Sequence, residues 1–117
     1  MLPYGEVLRA LGVDRKTAEE SFAGNLALYV KYLRAFAQDP SYEELRQAVA
    51  RGDGQAAAAA AHTLKGISAT LLLEAVLAPC LEILSLARAG RMDEAEKVMP
   101  RLRQAYESVL RIIEKYA

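Results

Sequence analysis

Ala56-Ala57-Ala58-Ala59-Ala60-Ala61-His62-Thr63-Leu64-Lys65-Gly66-Ile67-Ser68 is the stretch on which the fold turns. It holds the only histidine of the 117 residues, and imidazole is the side chain whose ordinary pKa lies near neutrality. Alanine is the best helix former and adds little bulk, so six of them in a row predict a helix with a low surface. His62 is therefore expected in mid-helix, beside little that would shield it.

At about 100° per residue, Ala57, Ala60, Ala61, Leu64, Ile67, Ser68 and Leu71 form one stripe, expected to be the core face. His62 falls nearly opposite Leu64. Gln55, Ala58, Ala59, Lys65, Gly66, Ala69 and Leu73 surround it on the outer face. Residues three and four apart are neighbours on a helix, so Lys65 and Gly66 flank the imidazole one turn on. The expected site is an exposed imidazole, a cation within reach and a bare surface around both.

Gly66 asks for a reason, because glycine inside a helix costs about 1 kcal/mol relative to alanine. Close packing of a neighbouring helix is the usual one, but Gly66 projects to the histidine side. An opening that lets a partner's surface reach the ring fits better. A lone lysine or histidine on a helix is ordinarily just solvated; it is H-x-x-K-G together, at helical spacing, that carries meaning.

Outward from this helix the chain reads as all helix. Glu6 to Leu11 could form a short helix ending at Gly12, and Asp14 could cap a second from Arg15 to Phe22, closed by Gly24. Leu26, Tyr29, Val30, Leu33, Phe36 and Ala37 mark an amphipathic helix over about 25–38, stopped by Asp39-Pro40. Ser41 with Glu44 fits a capping box for a helix over 41–51, and Asp53 caps the histidine helix over 54–72. The segment 74–89 is apolar nearly all round. Pro79 inside it predicts either a kink or a helix that starts near Pro79. Asp93 opens the last helix, kinked early by Pro100, with a seam at Val98, Leu102, Ala105, Val109, Ile112 and Tyr116. No strand is convincing. The expected fold is an all-α, antiparallel four-helix bundle (25–38, 41–51, 54–72, 74–89) with additional short N-terminal helical segments. The C-terminal helix either completes the bundle or replaces a member.

Composition narrows the function. At 117 residues the chain is expected to be one domain with a real core. Fifteen basic and fifteen acidic residues cancel, which argues against nucleic-acid binding by bulk charge. Cys80 is the only cysteine, so no internal disulfide forms, and one Cys with one His cannot build a zinc site. Met1-Leu2-Pro3-Tyr4-Gly5 lacks the pattern of a signal peptide. The apolar run from Ile67 to Ala87 is broken by Glu74, Pro79 and Glu82, which argues against a membrane span. A cytoplasmic monomer is expected, a dimer built on the apolar 76–87 segment being the open alternative. A hydrolase or metal enzyme finds no second nucleophile–base pair and no ligand spacing.

His62-Thr63-Leu64-Lys65-Gly66-Ile67-Ser68 resembles the H-x-L-K-G-x-S signature of histidine-containing phosphotransfer (HPt) domains. These helical bundles relay a phosphoryl group between aspartates of receiver domains. The resemblance extends from about Val13 to the C-terminus. It implies a phosphoryl carrier and not an enzyme, in which His62 is phosphorylated and Lys65 steadies the phosphate. Gly66, with Ala58, Ala69, Gln55 and Leu73, would form the docking surface. Implied partners are response-regulator receiver domains or a hybrid histidine kinase. No cofactor is expected in the chain itself, Mg²⁺ being brought by the receiver. By the same resemblance, the histidine helix and its successor form a central hairpin.

Ser68 is assigned to packing and Cys80 to a buried, inert position. One departure stands out: the family commonly has glycine ten residues after the histidine, where this chain has Leu72. The turn is therefore expected to differ, with Leu73, and Leu72 beside it, exposed as an apolar docking patch; alternatively both are buried at the turn. The competing functional reading is an adaptor bundle of the same fold that carries no phosphate.

Overall fold

The computed structural model describes residues 4–116; Met1 to Pro3, part of the stretch weighed above as a leader, lie outside them. Among the described residues there are helices and no strand: α1 (Tyr4–Leu11), α2 (Arg15–Ser21), α3 (Leu26–Gln38), α4 (Ser41–Ala50), α5 (Gly54–Thr70), α6 (Glu74–Arg88) and α7 (Met92–Tyr116). Three starts are fixed by side-chain caps foreseen in the sequence or one residue from its boundary. Asp14, Asn25 and Asp53 each accept from the backbone N–H three residues on, at 3.0 Å, satisfying a donor that the first turn leaves unpaired.

The α4 start is a correction. Ser41 is not the cap but the first helical residue, buried, with Pro40 in the cap position and no side-chain capping bond. Asp39 takes over the role, its Oδ1 accepting from the Ser41 N–H at 2.8 Å. Burial of Ser41 removes it from the position a capping box requires.

In the bundle, α4 packs on α5, α5 on α6 and α6 on α7, and α7 closes the ring against α4. The C-terminal helix thus replaces 25–38 as the fourth member. That helix, α3, lies instead beside the C-terminal end of α5 and against α7. Tyr29 donates from its hydroxyl to the Leu71 carbonyl at 2.8 Å, and the Phe36 ring lies 5.4 Å from that of Tyr106. Tyr42 of α4 stacks on the same Tyr106 ring at 3.9 Å, so three helices share one aromatic joint.

The seam of α7 is also shifted. Ala95, Leu102, Tyr106, Val109 and Ile113 are buried, whereas Val98, Ala105, Ile112 and Tyr116 are only partly so. The reason is α1, which packs on the flank of α7 and draws Ala105 and Ile112 sideways. Val7, Leu8, Val13, Ala18 and Phe22 join one continuous core with the bundle.

α6 begins at Glu74 and runs through Pro79, which rules out a start near the proline; α7 likewise passes through Pro100 and begins at Met92, not Asp93. Among the described residues no helix is long and apolar enough to cross a membrane. On 76–87, Val76, Cys80, Ile83, Leu84 and Ala87 are buried; Leu81 is exposed.

Candidate functional site

The inner face of α5 follows the predicted stripe. Ala57, Ala60, Ala61, Leu64, Ser68 and Leu71 are buried, and Ile67 is half-buried at the edge. The small alanines let α4 and α6 approach closely on either side. Behind the histidine, the Cys80 thiol of α6 donates to the Ala61 carbonyl at 3.1 Å. Burial pushes that thiol up to about 11, against a smaller downward pull from Lys65. A thiol held protonated and enclosed is inert, as expected.

The outer face is open. His62 is exposed and makes no hydrogen bond or ion pair among the described residues. Lys65, half-buried one turn on, makes none either. Gln55, Ala59, Gly66 and Ala69 are exposed and Ala58 is half-buried, so the structure brings these predicted residues onto one face with the imidazole. A methyl group added at Gly66 would meet nothing within 4 Å. No packing within the chain accounts for this glycine.

Leu73 does not belong to that face. It is 2 % exposed, and its expected place in an apolar docking patch is corrected. Leu72, half-buried, sits at φ +59°, a left-handed conformation that glycine adopts freely and leucine does not. The Leu73 N–H reaches back to the Ser68 carbonyl at 2.9 Å and the Leu72 N–H to the Ala69 carbonyl at 3.2 Å. These two bonds make a Schellman turn with Leu72 at its left-handed corner. The turn is therefore the one a glycine would make. Leucine is held in it because Leu71 and Leu73 on either side are buried, and the local cost is about 1–2 kcal/mol.

Two features of the site had escaped the sequence. Tyr29 serves as more than core: its buried hydroxyl clips α3 to the carbonyl at the end of α5. Burial raises its pKa well above that of ordinary tyrosine. Beside it opens a groove of about 360 Å³ between α3 and α5, lined by Tyr32, Phe36 and Asp39 on one side and Gly66, Thr70 and Leu71 on the other. Tyr32 is 45 % exposed; an aromatic standing off the apolar stripe of α3 was the available signal.

The model of one protein family, described as Hpt domain, matches residues 31–112, from within α3 into α7. The chain belongs to the Hpt domain family. Hpt domains are helical bundles that carry phosphoryl groups in two-component systems, working with receiver domains and kinases. The match begins later than the resemblance from Val13 suggested, leaving α1 and α2 outside the shared region. No curated protein and no solved structure matches the chain. Among the described residues of this Hpt domain, no group of three or more His, Cys, Asp or Glu side chains could hold a metal ion.

Proposed function

We propose that His62 accepts a phosphoryl group from, and returns it to, the aspartate of response-regulator receiver domains, a hybrid histidine kinase being a further source. The observation that carries the reading is the exposed imidazole of α5, free of partners within the chain, with Lys65 and Gly66 one turn on.

An unprotonated ring nitrogen of His62 attacks the phosphorus of the aspartyl phosphate. The N–P bond forms as the O–P bond breaks, and the bonding electrons leave with the aspartate carboxylate. The other ring nitrogen keeps its proton. In-line attack needs clearance along the ring plane, which the bare surface at Ala58, Ala59 and Gly66 gives. The Lys65 ammonium, on the same face one turn from His62, offsets the charge of the equatorial phosphoryl oxygens as a point cation. Mg²⁺ would be supplied by the receiver and would add to that charge neutralisation. Reversal regenerates free His62, so the domain ends unchanged and is a carrier, not an enzyme by itself.

The test is incubation with a panel of phosphorylated receiver domains, wild type beside His62→Gln. Acid-labile, alkali-stable label on wild type and none on the variant is the expected result. If both stay unlabelled while circular dichroism shows the fold intact, the adaptor reading takes its place.

A further inference from the structure

α7 segregates its charges. At about 100° per residue, Lys97, Arg101, Gln104, Ser108, Arg111 and Lys115 share one side of the helix, with Asp93 the one acidic residue among them, at the N-terminal end. Glu96, Glu107 and Glu114 fall on another, where Arg103 pairs with Glu107. In a chain of zero formal net charge this is a local surplus of cations. Arg101 pairs with Glu82 of α6, whereas Arg9, Lys97 and Arg111 make no ion pair among the described residues.

Between this stripe and α1 runs an open groove of about 480 Å³. Its floor is apolar, formed by Leu11, Ala105 and Ile112, all half-buried, and by Val109. Arg9 and Arg101 stand in its walls, and no carboxylate lines it. One wall is α1, which lies outside the matched region 31–112, so the groove depends on a helix this chain adds to the Hpt bundle.

An apolar trough between two helices, with the unpaired Arg9 in one wall, the Glu82-paired Arg101 in the other and Arg111 beside Ile112 at its end, fits one kind of occupant. We propose that it binds an acidic amphipathic helix of a protein partner, apolar side chains on Leu11, Ala105 and Ile112, carboxylates toward Arg9 and Arg111. Helix-in-groove binding places apolar anchors at helical spacing, and rim charges of opposite sign steer and orient the encounter. α7 lies diagonally across the ring from α5, so an occupied groove leaves His62 uncovered. A second partner can therefore reach the outer face of α5 while the groove is filled. This inference stands independently of phosphoryl transfer.

The test is fluorescence anisotropy with a labelled synthetic helical peptide that carries leucines on one face and glutamates on both flanks. Saturable binding that weakens with added salt is expected, with affinity reduced about tenfold or more in Arg9→Glu/Arg111→Glu. Gln104→Glu should reduce it by a smaller factor, while Arg88→Glu on α6 and His62→Gln leave it unchanged. Circular dichroism confirms that each variant is folded. Absence of saturable binding overturns the proposal, as does an equal loss in Arg88→Glu, which would mean unspecific charge attraction. Sedimentation of wild type with phosphatidylserine vesicles, lost in the double variant and not competed by peptide, would assign the face to a membrane surface instead.

Discussion

The two faces of α5 obey opposite rules. Inward, the face is closed: Ala57, Ala61 and Leu64 are at most 1 % exposed, and the Ala61 carbonyl takes a bond from Cys80 besides its place in the helix. Outward, one residue along from Ala61, the imidazole touches no partner, and the glycine one turn on faces empty space. Rigidity comes from the first face and, on the function proposed above, reactivity from the second, with both on one helix. A carrier that must present the same nitrogen to successive partners needs both.

The strongest way to break the inner face is Leu64→Ala, opposite His62. It should cost about 2–5 kcal/mol of stability, read by urea denaturation. The fraction still folded should nevertheless take up phosphoryl label at His62. Loss of labelling in fully folded protein would show that the two faces are not separable.

Alkali probes the inner face more gently. The Cys80 thiol, raised from 9.0 to about 11 by burial, ionises first in the unfolded chain. Its contribution is present below pH 9 and is lost as pH rises toward 11, amounting to about 2–3 kcal/mol at most. Tyr29, raised for the same reason, extends the decline above pH 10. Melting temperature measured against pH should fall steeply above pH 9 in wild type and less steeply in Cys80→Ala. Identical profiles would remove the thiol from the account.

Gly66→Ala is the smallest change and sets the faces against each other. With open space around the new methyl, helix propensity should add about 0.5–1 kcal/mol of stability. Transfer from a receiver should slow, because the methyl stands where the partner approaches. A variant both more stable and equally fast would mean that the glycine serves no docking role.

Much of this was legible in the sequence because it is periodic. The alanine run, the Asp53 cap and the inner stripe of α5 follow from helix propensity and spacing alone, and so does the outward position of His62, Lys65 and Gly66. What could not be read depended on residues distant in sequence. Leu73 turned inward because the Schellman turn rotates it there, and that turn runs against the intrinsic preference of Leu72. Ser41 lost its cap because tertiary packing buried it. The α7 seam moved by one residue, to Tyr106 and Ile113, because α1 claims the neighbouring flank. Tyr29 looked like any apolar-stripe aromatic; only the Leu71 carbonyl, 42 residues away, gives its hydroxyl a purpose.

The left-handed corner at Leu72 has a further consequence. A leucine there prefers right-handed helix, so local preference favours a straight rod running from α5 into α6 over the closed hairpin. Packing of Leu71 and Leu73 and the clip from Tyr29 hold the corner shut. Where those contacts loosen, the connection can straighten, and two identical chains can then exchange their second halves, each Cys80 meeting the other chain's Ala61. A glycine at that corner removes the bias; this chain keeps its hairpin closed from the outside.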